Sequence, residues 1–196
     1  MIDPIKIEDH WPRIAAIDFG WDHPTAMVWC AVDNESETFY IYDCYRASKA
    51  SPTVHAQNIR MRPHFIPIAY PHDGNRRDSM GNPGLADQYR NLGCNFLLEH
   101  FTNPPALGVN KGSNSIEEGL MAMLQSIEAK KFKVFNTLGD WFEEFRMYHR
   151  KDGKVVPLRD DLMSATRYAF QSQRFAVAGE DPSWTADVEY LSLIHI

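Results

Sequence analysis

The sequence contains no apolar run that approaches the ~18 residues a membrane-spanning helix requires, so we expect no membrane partner. Its N-terminus, Met-Ile-Asp-Pro-Ile-Lys, lacks a basic segment followed by an apolar stretch, and we therefore expect no secretory signal. Cysteine is scarce, because Cys30, Cys44 and Cys94 are the only three and none forms a C-x-x-C pair. This spacing argues against a disulfide framework and a structural zinc site, and it favours a reducing, intracellular compartment.

Positive charge is also in short supply. The 20 Lys and Arg residues are outnumbered by 26 Asp and Glu residues, which gives a formal net charge of −6. Nucleic-acid binding normally leaves a basic footprint, so this balance disfavours such a partner. Residues 130–159 are an exception, with eight basic and four acidic residues. That region could form a local basic face or an ordinary solvated surface.

The pattern of apolar residues predicts one α/β domain. Three short, closely spaced runs favour an antiparallel meander of strands at residues 13–18, 26–32 and 38–46. The following strand–helix–strand alternation implies parallel pairing in a mixed sheet. Its elements are a helix from Ser51-Pro52 to about Met61, a strand at 65–70, a helix between Asn82-Pro83 and Gly93, and a strand at 95–99.

The second half of the chain is predicted to be mainly helical. A capping box at 115–118 opens a helix whose apolar stripe comprises Ile116, Leu120, Met123, Leu124 and Ile127. A helix at 138–148 precedes Lys-Asp-Gly-Lys at 151–154, which is typical of a two-residue hairpin turn. The last helix begins near Asp160, and periodicity is lost beyond Phe175.

Four aspartates occupy positions where catalytic carboxylates could gather. Asp18 ends the first buried strand and Asp73 follows the strand at 65–70, so both should emerge at one sheet edge if these strands are neighbours. Asp160 and Asp161 stand at the start of the last helix. The alternatives are a turn role for the first two and a helix cap for the pair. Since successive helical residues point about 100° apart, one of the pair could cap while the other faces a metal.

Clustered carboxylates repel one another unless a cation holds them together. Sites made of Asp oxygens suit Mg²⁺ or Mn²⁺. Two such ions about 3.5–4 Å apart can activate water and stabilise the leaving oxygen of a phosphodiester. The ordered set of acids therefore predicts a two-ion hydrolytic site.

Four segments of the sequence resemble the nuclease domain of the large terminases of tailed bacteriophages. They are Ile17-Asp18-Phe19-Gly20, Tyr70-Pro71-His72-Asp73-Gly74, Ser115-Ile-Glu-Glu-Gly119, and Arg159-Asp160-Asp161 continued by Leu-Met-Ser-Ala-Thr-Arg-Tyr. The similarity spans residues 13–172. Its most distinctive part is the acidic pair followed by Ala-x-Arg-Tyr on a helix. Ser164 departs from the pattern, because many relatives have an Asp directly before that Ala.

The resemblance implies an RNase H-like fold, with a central mixed sheet of five or slightly more strands, flanking helices and a β-hairpin before the last helix. It divides the chain into an N-terminal extension at 1–12, a nuclease domain at 13–175 and a C-terminal tail at 176–196. It also implies that Asp18, Asp73 and one or both of Asp160 and Asp161 are catalytic metal ligands.

The implied activity is endonucleolytic cleavage of double-stranded DNA, the concatemeric phage genome, by two-metal hydrolysis with low sequence specificity. Candidate DNA contacts are the basic residues of the hairpin region, Arg150, Lys151, Lys154 and Arg159. His72 could shuttle a proton beside Asp73, although a structural histidine is the preferred interpretation.

The same resemblance suggests partners. A complete large terminase carries a packaging ATPase in the same polypeptide, whereas this sequence has no Gly-x-x-x-x-Gly-Lys-Ser/Thr motif. We therefore expect an isolated nuclease domain that works with that ATPase domain. The portal and the small terminase subunit are further expected partners, and the cytoplasm of the infected bacterial host is the expected location.

Other functions fit parts of the sequence. A non-catalytic docking module of the packaging motor could use the aromatic residues Trp141, Phe142, Phe145 and Tyr148, with the acids serving only as caps. Asp-x-Gly after a first strand also opens the actin/Hsp70-like ATPase fold, although 196 residues are too few for its two domains. Junction resolvases and transposases share the RNase H-like class.

Overall fold

The computed structural model describes most of the chain, namely residues 1–76, 81, 83–105, 107–108, 110, 112–156 and 158–179. The predicted C-terminal tail therefore lies largely outside the described residues, as does Asn82 of a predicted helix start. No helix in these ranges is long and apolar enough to cross a membrane.

A mixed five-stranded sheet forms the centre of the domain, as predicted. Its strands are β1 (Arg13–Asp18), β2 (Thr25–Asp33), β3 (Thr38–Ala47), β4 (Ile68–Ala69) and β5 (Phe132–Val134). They lie in the order β4-β1-β2-β3-β5. The three-stranded meander pairs antiparallel, whereas β4 runs parallel to β1 and β5 runs parallel to β3. The parallel pairing of β1 and β4 brings their C-terminal ends to the same edge.

The outer strands differ from the prediction. The strand expected at 65–70 shrinks to β4, because Pro67 has no N–H to donate to the ladder. The strand expected at 95–99 is wrong, since Phe96 forms only an isolated bridge with Ile68. The carbonyl groups of Leu97 and Leu98 accept hydrogen bonds from Arg90 instead of from a strand. The fifth strand is β5 at the opposite edge, which is too short to predict from periodicity.

Five helices surround the sheet in the described residues. They are α1 (Pro52–Ile59), α2 (Leu85–Asn91), α3 (Ile116–Glu128), α4 (Gly139–Met147) and α5 (Asp161–Gln171). Short 3₁₀ turns lie at His72–Asn75 and Gln173–Phe175. The helix expected from Asn82-Pro83 begins later, at Leu85, with Gly84 at its N-cap.

The alternation of side chains along β1 sorts the core onto two faces of the sheet. Ile14 and Ala16 belong to the cluster that packs against α5, whereas Ala15 and Ile17 belong to the cluster beneath α1 and α2. Successive residues of a strand point to opposite faces. Asp18 continues the first series and therefore emerges on the face that α5 covers.

The predicted hairpin is confirmed as β6 (Arg150–Lys151) and β7 (Lys154–Val155). Asp152 and Gly153 both have positive φ, at 51° and 76°, as the two central positions of a type I′ turn require. The Arg150 guanidinium makes two hydrogen bonds of 2.9 and 2.6 Å to the Glu117 carboxylate, which tie the hairpin to α3.

The start of α3 forms only half of the predicted capping box. The Ser115 hydroxyl accepts a hydrogen bond from the Glu118 N–H at 3.4 Å, but the Glu118 carboxylate bonds to Ser113 and Asn103. The predicted apolar stripe is also only partly core. Met123 is buried, whereas Ile116, Leu124 and Ile127 are exposed.

Candidate active site

Asp18 and Asp73 meet at the edge where β1 and β4 end. Asp18 is the last residue of β1, opposite Ala26 of β2. Asp73 lies in the 3₁₀ turn that directly follows β4 and the two residues Tyr70 and Pro71. Asp73 is close enough to raise the pKa of Asp18, so the structure brings the two predicted residues together.

A glycine allows the two acid-bearing turns to pack against each other. A Cβ at Gly74 would lie 2.7 Å from ring atoms of both Phe19 and Tyr70. Real Cβ atoms do not approach neighbours this closely, so a hydrogen is the only side chain that fits between the two rings. Gly74 therefore lets the turn after Asp73 pack directly against the Phe19 ring that follows Asp18.

The N-terminus of α5 supplies the remaining two acids. Asp161 is buried, and its Oδ1 lies 2.8 Å from Nδ1 of His23 in the loop between β1 and β2. Asp160 occupies the N-cap position but makes no side-chain capping hydrogen bond. Burial and the neighbouring Asp161 carboxylate both raise the pKa of Asp160.

The cap of α5 comes from another helix. The fully buried Glu144 of α4 accepts the Leu162 N–H at 2.7 Å and an Arg46 N–H at 3.3 Å. The alternative interpretation, in which the Asp160 side chain caps this helix, is not supported, because Asp160 makes no capping hydrogen bond and Glu144 accepts the Leu162 N–H instead. Both aspartates are left for other interactions.

Glu144 was missed in the sequence, although a signal was present. It stands three residues after the buried Trp141 on the same helix, where i and i+3 share a face. A glutamate on a buried face needs partners. Burial is the main cause that raises its pKa to about 6, and the nearby Asp161 carboxylate adds to the effect.

The acids act on one another electrostatically. Burial raises the pKa of Asp18 to about 7, with further contributions from the carboxylates of Asp161, Asp73 and Asp160, in that order. His23 opposes the shift in part. Asp18 therefore holds a proton over much of the acidic and neutral range unless a cation replaces it.

The donors suit a hard divalent cation, although they do not form a finished cage. Within the described residues, no three His, Cys, Asp or Glu side chains are already placed to bind one ion. The Asp161 carboxylate, in particular, faces His23. The four converging groups are nevertheless all carboxylates whose mutual repulsion a cation would relieve, and Mg²⁺ and Mn²⁺ prefer such oxygen ligands.

His23 is the histidine that contacts the site, whereas the sequence drew attention to His72. His72 is exposed, and its ring centroid lies 6.4 Å from that of His100. The loop that carries His23 is closed by two hydrogen bonds between Gly20 and the Thr25 hydroxyl, of 3.2 and 2.9 Å. The sequence offered one indication of this contact, because His23 lies in the short loop between two predicted neighbouring strands, close to Asp18.

We expect Gly20→Ala to damage the site more than the fold. A Cβ at Gly20 would lie 2.4 Å from the His23 carbonyl oxygen and 2.6 Å from its Nδ1, so the ring must move off Asp161. The plasmid cleavage that the resemblance implies should fall on the order of a hundredfold, because small misplacements of catalytic groups carry large penalties. Thermal unfolding should show a loss of about 1–3 kcal/mol.

The control is Gly139→Ala at the start of α4, where an added Cβ meets no atom within 4 Å. It should cleave at the wild-type rate. Equal rates for Gly20→Ala and Gly139→Ala would show that the His23 contact is irrelevant to activity.

The candidate DNA contacts divide into free and engaged side chains. Lys151 and Lys154 are exposed at the hairpin tip. Arg150 is held by Glu117, and Arg159 lies 3.6 Å from Glu143. Arg159 also has a φ of 52°, a left-handed backbone that costs free energy in a non-glycine residue, immediately before the two aspartates.

Two clefts flank the site. One of about 360 Å³ is lined by residues that include Arg46, Arg159 and Asp161. The other, of about 370 Å³, includes Asp73 and His23 in its lining. The acids can therefore be approached from both sides of the His23 loop.

Comparison with known proteins finds one family. Residues 15–173 match the model of the terminase RNase H-like domain. The large terminase subunit of Salmonella phage P22 is 36% identical over 174 residues, which are 88% of this chain and 34% of that protein. The chain thus spans about a third of the length of this relative.

Solved structures agree with the sequence match. The structure of the P22 large terminase nuclease domain has a TM-score of 0.80 at 35% identity, covering 90% of this chain and 89% of that one. The nuclease domain of the phage SPP1 large terminase, solved with bound Mn, shares the fold at a TM-score of 0.55 and 18% identity. That comparison covers 82% of this chain and 85% of the other.

Proposed function

The chain belongs to the terminase RNase H-like domain family, and from this premise we propose that it is a metal-dependent endonuclease that cuts double-stranded DNA during phage genome packaging. The observation that carries the proposal is the convergence of three carboxylates, those of Asp73, Asp160 and Asp161, on Asp18, whose pKa all three raise. Similarity to a P22 nuclease domain over nearly the whole chain supports it.

We infer that Asp18, Asp73 and the pair Asp160 and Asp161 hold two Mg²⁺ or Mn²⁺ ions. Bound there, the ions would supply activated water and stabilise the leaving oxygen of the phosphodiester. Asp18 is the central ligand of this set, because the other three carboxylates all interact with it electrostatically. His23 orients the Asp161 carboxylate, and no side-chain general base is required.

Positioning of these acids depends on groups beneath them. Glu144 fixes the first turn of α5 through the Leu162 N–H and thereby fixes the backbone that bears Asp160 and Asp161. Gly74 fixes the distance between the turns of Asp18 and Asp73. These contacts hold the carboxylates in place before DNA arrives, as electrostatic catalysis requires.

We propose that DNA is held mainly through its phosphates, with little sequence preference. Phosphate contacts position the duplex without reading bases. The exposed hairpin lysines are the candidates, whereas Arg150 would have to leave Glu117 to take part.

Replacing both hairpin lysines, Lys151→Ala with Lys154→Ala, is expected to weaken duplex binding. Each lost phosphate contact should reduce the slope of log K against log salt by roughly 1, so the double variant should lose about 2. Fluorescence anisotropy of a labelled duplex over a salt series measures both quantities.

The matched control is the double variant Lys6→Ala with Lys131→Ala, which removes the same charge. These lysines are paired with Glu8 and Glu37. An equal loss of salt slope in both double variants would mean that net charge, rather than the hairpin, governs DNA binding.

The wider setting is also a proposal. We propose that the domain works beside a packaging ATPase domain, with the portal and the small terminase subunit as further partners, in the cytoplasm of the infected bacterium. The P22 relative, of which this chain spans 34%, leaves room for such a domain.

The direct test is incubation of the purified protein with supercoiled plasmid in EDTA, Mg²⁺ or Mn²⁺. We expect nicked and then linear DNA with either metal and intact plasmid in EDTA. A folded protein that cleaves with neither metal would instead favour the docking module. Of the aromatic residues predicted for it, Trp141 is buried, whereas Phe145 is 46% exposed and open to a partner.

A further inference from the structure

The cleft beside Asp73 contains groups that the proposed cleavage chemistry does not use. It holds about 370 Å³ between the loop after β1 and the helices α1 and α2. Aromatic and apolar side chains form just over half of its wall, including Phe19, Trp21, Pro52, Leu85 and Tyr89. Four polar residues complete it, namely His23, Thr25, His55 and Asp73. Ligand sites in proteins commonly have this composition and size.

Trp21 is a large aromatic side chain held open to solvent at the mouth of the cleft. It is 59% exposed, although its backbone is fixed because its carbonyl accepts the Lys49 N–H at 2.9 Å. The neighbouring Gly20 is locked to Thr25 on the same loop. An exposed ring on a fixed backbone is ready to stack on a flat partner with little loss of conformational freedom.

His55 lies in the wall of the same cleft. The side chain is only 2% exposed, and its Nδ1 lies 3.0 Å from the Tyr45 hydroxyl. Its Nε2 is buried and makes no hydrogen bond of normal geometry in the described part of the protein, although the backbone of Ala50, in the same wall, lies close to the ring. A buried polar group left unpaired carries a free-energy penalty that a bound ligand could remove.

The location of the cleft indicates which class of ligand it would bind. Asp73 lies in its wall, so the cleft is continuous with the carboxylate cluster. A large exposed aromatic ring, a flat apolar wall and a location beside a phosphodiester-cutting site together match a nucleobase. We propose that the cleft receives one unstacked base of the DNA, next to the phosphate that is cut, with Trp21 stacked on its face and its edge directed at the side of the cleft that His55 lines.

This proposal rests on the proposed nuclease function, because it takes DNA as the substrate. Stacking accepts every base, since each has a π face, and is therefore compatible with low sequence preference. Extraction of a base costs least where the duplex is already frayed or mismatched. The cleft should thus favour DNA that opens easily at the cut position.

Photocrosslinking tests the contact without requiring cleavage. Duplexes carrying one 5-iodouracil at successive positions are bound to the protein in Ca²⁺, irradiated and analysed by mass spectrometry. We expect a crosslink to Trp21 or Tyr89 from one or two adjacent positions only. Crosslinks confined to residues outside the cleft, or none at all, would overturn the proposal.

Variants at the exposed tryptophan separate stacking from folding. Trp21→Ala should lower the crosslink yield in the cleft and the affinity for a mismatched duplex by about tenfold, whereas Trp21→Phe should keep most of both. Phe175→Ala removes an aromatic residue that is 46% exposed elsewhere and should change neither. Loss of the same size in Phe175→Ala would overturn the assignment to the cleft.

The two proposals can fail separately. A protein that forms the Trp21 crosslink but never cuts plasmid in Mg²⁺ or Mn²⁺ refutes the nuclease and leaves the base-binding cleft standing. A protein that cuts with either metal, but whose base crosslinks avoid the cleft, refutes the cleft alone.

Discussion

Asp18→Asn is expected to abolish metal-dependent cleavage while producing a protein that is more stable than the wild type in EDTA. Asn cannot replace the negative charge at the centre of the cluster, so plasmid cleavage should fall about 10³-fold or more. The same change removes a carboxylate that burial and three acidic neighbours destabilise. Loss of activity would then accompany a gain in stability, which a merely misfolded variant cannot show.

The gain should depend on pH in a defined direction. Between its ordinary value of 3.8 and its folded pKa of about 7, Asp18 holds a proton in the folded protein that the unfolded chain has released. Wild-type stability in EDTA should therefore fall as the pH rises through this window, by up to about 1.4 kcal/mol per unit of pKa difference. Asp18→Asn should lack this contribution.

Divalent metal should reverse the trend in the wild type. Because a cation must displace the Asp18 proton, stabilisation by Mn²⁺ should be small near about pH 5 and large near about pH 8. Thermal unfolding with EDTA or Mn²⁺ at several pH values measures both effects. Asp22→Asn, an exposed change in the same loop, is the control and should behave as wild type. Full Mn²⁺-dependent cleavage by Asp18→Asn would falsify the central role of this residue.

Glu144→Ala is expected to cause the largest loss of stability among single changes near the site. The substitution leaves the buried Leu162 N–H without an acceptor, while Arg46 keeps Asp140 and Glu143 as partners. Loss of a hydrogen bond to a charged group, a buried donor left unpaired and the cavity left by the side chain together cost about 3 kcal/mol or more. Glu144→Gln keeps an oxygen for the Leu162 N–H and should lose about half as much.

The neighbouring Glu143 provides the comparison. It also pairs with Arg46, but its side chain is 46% exposed, so Glu143→Ala should cost less than about 1 kcal/mol. Urea unfolding of the three variants gives the differences directly. If Glu144→Ala unfolds at the same urea concentration as Glu143→Ala, the cap of α5 contributes little.

Much of the fold could be predicted from local pattern. The meander, α1, the hairpin and α5 follow from apolar periodicity and turn residues, and the structure has each of them close to the predicted bounds. Asp18 and Asp73 could be placed at one edge because both end apolar strands, and strand ends are set locally. The short length of β4 and the existence of β5 could not be predicted, since both edge strands are defined mainly by pairing with their neighbours.

The site was harder to predict wherever a contact joined distant parts of the chain. His23 reaches Asp161 across 138 positions, and Glu144 caps a helix that begins 17 residues later. Neither residue belongs to a local motif. The ion pair between Arg150 and Glu117 also joins distant parts of the chain. It could not be predicted from the hairpin sequence, in which Arg150 has no acidic partner of its own.

The glycine between two rings has a consequence for how this protein can change. The rings of Phe19 and Tyr70 fill the space that a side chain at position 74 would need, so these two rings require glycine there. The three positions therefore cannot drift independently: a methyl group at 74 becomes tolerable only after a ring at 19 or 70 has shrunk. Among distant descendants, the two acid-bearing turns should be inherited as a single coupled unit.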